Sequence, residues 1–570
     1  MSEIIALNRN QCKNCYKCIR HCPVKSIKFS GNQASVVKNE CILCGNCYVD
    51  CPQNAKEIVS DIEKVKVLLQ QHDQVIVSLA PSFVANYDGA GISMMRKAIK
   101  RLGFFDCEET AIGAALVKSE YEDYIDTKKP KILITSACHS VNLLIQKYYP
   151  NLLPFLAPII SPMQAHALDI KRRYKDAKVV FVGPCIAKKD EADYYQGYID
   201  AVLTFEELSR LFEYSQVRLE KEVEEHDGFK ARFFPTTGGI IKSLSRRNDD
   251  YQYIAVDGVE NCINVLEDIS KGDLKNCFIE MSSCVGSCIH GPIMEKYHKT
   301  PLRDYLTVIS YGSKNDIDVD KLEQKAYLKK FHSIKKKNEI PNKNTIDEIM
   351  KQMGKTNQKD ELNCGSCGYD TCREKAIAIF QGKANISMCL PFLKERAESF
   401  YRNILNYTPS GIIVINEHLE IQKINDAARK IINVRSEKDV LGEKIIKILD
   451  EEPFKKVLEQ KRSVYQRKKY LAEYQKHVEE SIIYDRDYHI IMYLMNDITD
   501  SYRQNEIKEQ HKKQTIEVTN QVVEKQMRIV QEIASLLGET AAETKIALTK
   551  LKEHLEHEWF IFRCWICFYL

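Results

Sequence analysis

Twenty-one cysteines stand in a chain of 570 residues, and most fall at spacings that gather thiolates on one centre. Cys12, Cys15, Cys18 and Cys22 follow the pattern Cys-x2-Cys-x2-Cys-x3-Cys-Pro, and Cys41, Cys44, Cys47 and Cys51 repeat it. Such short loops let three thiolates reach three corners of one iron–sulfur cubane, while the proline turns the chain away. A zinc site does not call for eight cysteines in this pattern. Cys364, Cys367, Cys372 and Cys389 form a third group, with three residues on a glycine-rich loop that enters a helix and the fourth returning after it. The helix N-terminus favours an anionic cluster there, although four cysteines alone also suit zinc. Four more are scattered: Cys138 in "TSACHS", Cys185 in "VGPCIAKKDEAD", and Cys284 and Cys288 in "MSSCVGSC". Cys107, Cys262 and Cys277 have no such loop context and read as free buried thiols.

The scattered four need elements that bring them together. "QVIVSLA", "KILITSA", "KVVFVGP", "YIAVDGV" and "CFIEMSS" are short apolar runs that end in small residues, with helical stretches such as "TFEELSRLFEY" between some of them. This alternation implies parallel, buried strands whose C-terminal ends build the site. Cys138, Cys185 and the Cys284 loop each follow such a strand, so three strand ends can meet at one switch point.

Residues 313–362 are polar and lysine-rich and read as a solvated linker with some helix. Strand signals return in "SGIIVIN" and "EIQKIND". From about 501 to 557, Ile516, Val523, Val530, Leu537, Thr544 and Leu551 recur every seven residues, with Asn520, Met527, Ala534, Ala541, Leu548 and Leu555 four behind them. That is a coiled-coil seam with Asn520 as register-setter, weakened at Gly538. The closing "WFIFRCWICFYL" is too short to span a membrane, and a frame error in the coding sequence explains it as well as a membrane-touching tail does. The net charge of +4 with 28% charged residues does not point to nucleic acid. No run reaches the ~18 apolar residues of a membrane span. The N-terminus has no apolar leader, and the cysteine usage suits a reducing cytosol.

Residues 1–57 resemble a bacterial two-cluster ferredoxin, in which the fourth cysteine of each run ligates the other cluster. The resemblance implies one [4Fe–4S] on Cys12, Cys15, Cys18 and Cys51, and a second on Cys41, Cys44, Cys47 and Cys22. The Cys364 group resembles the small [4Fe–4S] domain of electron-transfer complexes and corrinoid iron–sulfur proteins. Residues 1–312 as a whole resemble the iron-only, or [FeFe], hydrogenases. "TSACHS" sits where that family reads TSCCP, "GPCIAKKDEAD" where it reads MPCxxKxxE, and "MSSCVGSC" where it reads MACxxGC. "SPMQ", "DAVLTFEEL" and "TTGGI" are further matches.

That resemblance implies a cubane on Cys138, Cys185, Cys284 and Cys288, with Cys288 bridging to a di-iron unit that carries CO, cyanide and an azadithiolate. The whole is the H-cluster, installed by maturation enzymes. Lys188 matches a lysine that hydrogen-bonds a cyanide ligand, a charge-assisted contact, and Ser161 matches a relay serine. The departures are equally specific. Ala137 stands where catalytic members carry a proton-relaying cysteine, and an alanine cannot pass a proton. His139 replaces a proline and is a candidate substitute base, while Gly183 and Ser282 replace methionines near the di-iron unit.

Residues 397–500 resemble a PAS sensory domain, closing with "NDITD" before a helix. With no cysteine between Cys389 and Cys564, a flavin–cysteine adduct is excluded. His418, His477 and His489 are candidate haem ligands, although exposed polar histidines are the commoner case. The PAS ligand is not specified.

The expected architecture is α/β multidomain. It runs from an α+β two-cluster ferredoxin (1–60) to an α/β H-cluster domain with parallel sheets (61–315), a charged linker (316–362) and a small [4Fe–4S] domain (363–395). An α+β PAS domain (396–500), a signalling coiled coil (501–557) and an aromatic tail (558–570) complete it. The expected function is a cytosolic hydrogen or redox sensor, oxidising H2 slowly and signalling as a homodimer to a kinase or phosphatase in trans. A catalytic hydrogenase exchanging electrons with ferredoxin, and a multi-cluster electron carrier without a di-iron unit, are the alternatives.

Overall fold

The computed structural model describes residues 4–220, 228–272, 274–297, 300–335, 340–537 and 544–555. The chain divides into two compact units, Met1–Lys394 and Glu395–Leu570.

The centre of the first unit is a pair of parallel sheets. One contains β1 (Val75–Leu79), β2 (Asp106–Glu109), β4 (Lys178–Gly183) and β5 (Ala201–Thr204) in the order β2-β1-β4-β5. The other contains β3 (Ile132–Ile134), β6 (Gln252–Asp257) and β7 (Cys277–Ser282) in the order β6-β7-β3. Every residue of β1, β3 and β7 is buried, which is why these strands read as continuous apolar runs rather than alternating ones. The cysteine-bearing ends therefore come from two sheets, not from the switch point of one: β3 and β7 share a sheet, and β4 lies in the other. Four helices begin at or near the candidate residues: α1 (Ala111–Lys128), α2 (His139–Tyr148, directly after Cys138), α3 (Pro162–Arg173, directly after Ser161) and α4 (Ala187–Tyr194). Pro162 at the first helical position pre-sets the backbone for α3.

The N-terminal module has antiparallel pairs Ile5–Leu7 with Lys56–Ile58 and Ile27–Ser30 with Gln33–Val36, plus short helices Lys17–Arg20 and Asn46–Val49. Residues 316–362 are not the solvated linker that their lysines imply. Tyr327 is 1% and Lys329 4% exposed. Helix α5 (Lys343–Gln352) packs Ile349 and Met350, with Met353 just beyond it, against Ala376 of α6 (Cys372–Phe380). A few apolar residues at helical spacing suffice to pin such a segment down, whatever the charge of the residues between them.

The second unit is a five-stranded antiparallel sheet of β8 (Gly411–Asn416), β9 (Ile421–Ile424), β10 (Val464–Leu471), β11 (Lys476–Asp485) and β12 (Ile490–Asp497), in the order β9-β8-β12-β11-β10. Its core includes Ile413, Ile415, Ile482, Ile491 and Met495. The three candidate haem histidines do different things. His477 stacks on Tyr502 with ring centroids 4.0 Å apart, His489 pairs with Glu417 at 3.0 Å, and His418 is exposed. The 39-residue helix α7 (Thr499–Leu537) follows. Val523 and Met527 of α7 border one groove with Leu548, so part of the heptad seam faces the chain's own segment 544–555. None of the described helices is long and apolar enough to cross a membrane. Gly538, Ala541, Cys564, Cys567 and the 558–570 tail lie outside the described residues.

Candidate active site and metal centres

The four scattered cysteines meet. Burial, and then the neighbouring Cys138, push the Cys185 thiol up to about 11. Burial also drives the thiols of Cys284 and Cys288 far above the usual range, with further push from Cys185 and Cys138. Neighbouring thiols that repel one another as anions need a cationic centre between them.

Beside them lies a cavity of about 110 Å3 bounded by Ala137, Cys138, Cys185, Lys188, Ser282 and Cys288. Lys188 is fixed by two of its three donors, one to Glu191 at 2.5 Å and one to the Ala137 carbonyl at 3.1 Å. Burial opposes its charge, but Glu191 and the Cys185 and Cys138 thiols outweigh burial and raise its pKa. Glu191 is wholly buried and also accepts from Lys329 at 2.8 Å; despite burial, the two ammonium groups hold its carboxyl far below the usual range. Gly183 leaves room that the Phe181 ring takes, since a Cβ there would lie 2.9 Å from that ring.

The candidate proton carriers fall apart geometrically. Ser161 is buried with no partner for its hydroxyl. His139 is buried, faces Asp190 at 2.9 Å, and is not among the residues bordering the cavity; burial lowers its pKa. Ala137 borders the cavity with a methyl group. Sequence reasoning missed several residues here. Ser82 borders the cavity with a buried hydroxyl that has no protein partner. Glu280 also borders it, its carboxyl pushed up to about 7 by burial against the opposing pull of backbone N–H groups from Ile241, Ile240, Gly238 and Gly239. Lys329 came from the supposed linker. A polar residue inside an apolar strand run, as in "CFIEM", was the available signal for Glu280.

The other three sets also assemble. After burial, the Cys18 thiol, pushed up to about 11, responds to Cys51, Cys12 and Cys15, while Cys44 and Cys47 respond to Cys22 and Cys41. That is the crossed arrangement. Lys56, 2% exposed, lies within electrostatic reach of Cys18 and Cys47, one from each set. Cys364, Cys367, Cys372 and Cys389 border one cavity of about 20 Å3 together with Lys375. This third set is seated on the N-terminal module. Gly368, at φ +91°, is pressed so close that a Cβ would lie 2.9 Å from Ile19, a fit open only to glycine. Arg20 donates to the Gly365 and Ser366 carbonyls, each at 3.4 Å, and Lys383 pairs with Glu40 at 2.5 Å. On the other side of the module, Gly45 packs against Pro292, just beyond the Cys288 loop.

Among the described residues no three cysteine, histidine or carboxylate side chains close on a point small enough for a single metal ion.

The family models divide the chain in the same way. Residues 66–292 match the iron-only hydrogenase large subunit, C-terminal domain. Around this match, residues 4–67 match a 4Fe-4S dicluster domain, 360–391 an Fe-S cluster family and 399–496 the PAS fold. Iron hydrogenase 1 of Clostridium pasteurianum is 25% identical over 375 residues, covering 51% of this chain and 64% of that protein. The chain thus spans less than two thirds of that relative's length. The periplasmic [Fe] hydrogenase large subunit of Nitratidesulfovibrio vulgaris is 26% identical over 371 residues, covering 51% and 87%. The nuclear prelamin A recognition factor of Xenopus laevis is 21% identical over 339 residues, covering 45% and 74%. Among solved structures, an [FeFe]-hydrogenase from Chlamydomonas reinhardtii is 19% identical, covers 45% of this chain and 91% of that one, and superposes with a TM-score of 0.38.

Proposed function

We propose that the protein is a hydrogen sensor: it binds and slowly oxidises H2 at an H-cluster, passes electrons through its iron–sulfur sets, and reports through the PAS domain and α7 to an output enzyme in trans. The observation that carries this is the 110 Å3 cavity, which joins the thiols of Cys138, Cys185 and Cys288, with Cys284 beside them, a fixed lysine and an unsatisfied serine hydroxyl to an alanine where a relay thiol would stand. The orphaned Ser82 hydroxyl and the donor left over on Lys188 fit a group with anionic acceptor ligands. When bound on Cys288, a di-iron unit with CO, cyanide and azadithiolate would supply an open metal position for dihydrogen.

The chain's own residues do the rest. Cys138, Cys185, Cys284 and Cys288 hold the centre. Glu191 and the Ala137 carbonyl aim Lys188 into the cavity, and Ser82 offers a second hydrogen bond. The methyl group of Ala137 leaves the first proton-accepting position blank, which slows turnover without weakening binding. The third set sits against the ferredoxin-like module, so electrons from the H-cluster reach it through that module, and Cys389 directly precedes the helix Leu390–Tyr407. Maturation enzymes, a ferredoxin-type redox partner, a kinase or phosphatase, and a second copy joined through α7 are the partners this reading requires.

The test is the matured protein. Infrared bands of CO and cyanide should be present, hydrogen oxidation should be slow, and Ala137→Cys should raise it about tenfold or more. Wild-type turnover equal to that of the Ala137→Cys variant would sink the sensor reading. A multi-cluster electron carrier without a di-iron unit is the second reading, supported by the three further cysteine sets, and it predicts no such bands.

A further inference from the structure

The cavity has a second polar wall that the family motifs do not supply. Thr110, between β2 and α1, borders the cavity. Its Oγ1 lies 2.7 Å from Ser78 Oγ on β1, and that hydroxyl lies 2.8 Å from Nδ1 of His166 on α3. Nε2 of the same ring faces Glu108 Oε2 at 3.3 Å, and Arg173 clamps Glu108 with hydrogen bonds of 2.8 and 2.5 Å. All four of the linked side chains are buried, Ser78 and His166 completely. Such a file of polar groups costs desolvation that an apolar core residue would avoid.

The file has a direction. Burial works against the charge of Glu108, but Arg173 and His166 outweigh it and push its carboxyl down to about 2. An ionised carboxylate only accepts, so the ring carries its hydrogen on Nε2 and Nδ1 is left as an acceptor. Ser78 then donates to Nδ1 and Thr110 donates to Ser78. The remaining lone pairs of Thr110 are free to accept from the cavity side. The positions that the motifs single out lead nowhere comparable: Ala137 has no side-chain proton to pass, Ser161 has no partner, and His139 faces Asp190 and does not border the cavity; Glu280 borders it but accepts from the Ile241 N–H rather than from a further side chain.

We infer that Thr110, Ser78 and His166 are the proton acceptor of this cavity, with Glu108 as the fixed counter-ion that holds the imidazolium. Thr110 Oγ1 takes a proton from the cavity and gives its own to Ser78, which gives its own to His166 Nδ1. Each hydroxyl gains one proton and loses one, a single N–H bond forms, and no electron moves along this route; the electrons leave by the iron–sulfur sets. A proton deposited on a buried ring suits a site that must register a splitting event rather than cycle quickly. The inference rests on the hydrogen-splitting reading of the cavity.

The experiment uses the full chain in two states. In the matured protein under D2 in H2O, Thr110→Val and Ser78→Ala should each lower HD formation about tenfold or more, with iron content and the CO and cyanide bands unchanged. Thr110→Ser should restore it. In the unmatured protein labelled with 15N-histidine, His166 should appear as the Nε2–H tautomer with Nδ1 hydrogen-bonded, and Ser78→Ala should shift Nδ1. HD formation within about twofold of wild type in both Thr110→Val and Ser78→Ala would overturn the relay, as would a His166 proton on Nδ1. If Ser78→Ala does not fold, the near-isosteric Thr110→Val decides. Bands present with exchange unchanged defeats the relay alone. Bands absent from matured wild type defeats the hydrogen-splitting reading and the relay with it.

Discussion

Two cavities in the first unit are walled by cysteines and a lysine, three cysteines with Lys188 in one and four with Lys375 in the other, yet the first offers about 110 Å3 and the second about 20 Å3. Around Cys138, Cys185 and Cys288 there is room beyond the thiols, and Ser82 and Thr110 border it. Around Cys364, Cys367, Cys372 and Cys389 there is almost none. The lysines differ in the same sense. Lys188 shares its charge with Glu191, whereas Lys375 donates to the Ile386 carbonyl at 3.3 Å and is surrounded by thiols. Burial lowers the pKa of Lys375 while all four cysteines push it back up. Thiols alone say that iron–sulfur chemistry is present; space and unsatisfied polar groups say where a substrate goes.

The sharpest way to break this contrast is Glu191→Ala. It leaves Lys188 and Lys329 buried without their carboxylate, and stability should fall by about 3–5 kcal/mol, read as a lower thermal midpoint of the unmatured chain. Lys375→Ala should cost less, since no carboxylate depends on it; equal costs would mean that the two lysines play the same part.

Glu280 offers the next largest effect. Its folded pKa is raised from 4.5 to about 7, so between those values the native state holds a proton that the unfolded chain has lost. Stability must therefore fall as pH rises through this window, by about 3 kcal/mol once pH 8 is passed. Glu280→Gln should flatten that slope, measured as thermal midpoint against pH from 4.5 to 8. An unchanged slope would show that the wall of the larger cavity is not the dry, carboxyl-bearing surface described.

The smallest effect concerns the smaller cavity. Lys375→Met should lower the reduction potential of the cluster on Cys364, Cys367, Cys372 and Cys389 by about 59 mV, a tenfold shift for one electron, while Lys375→Arg should not. Potentiometric titration followed by electron paramagnetic resonance reads this directly. A potential indifferent to both would make Lys375 a packing residue.

Cysteine sets are legible in sequence because ligation by short loops is local: Cys12 to Cys22, Cys41 to Cys51 and Cys364 to Cys372 need little more than their spacing. Cys138, Cys185, Cys284 and Cys288 were legible one step further, because each follows a buried strand. What escaped was polar residues whose partners lie on other elements. Ser78 sits inside "VIVSLA", Glu280 inside "CFIEM", His166 inside an ordinary helix, and Lys329 inside "YLKKFH". Nothing local says where such a side chain points. The packed segment around Tyr327 and α5 was misread for the same reason, its few anchoring residues being outnumbered by lysines.

Because Cys185 rides on one sheet while Cys138, Cys284 and Cys288 ride on the other, whatever these four sulfurs grip also acts as a rivet between two otherwise separately hydrogen-bonded slabs. Loading is thus a mechanical event as well as a chemical one, and amide exchange along β4 and β7 should slow together when iron is inserted.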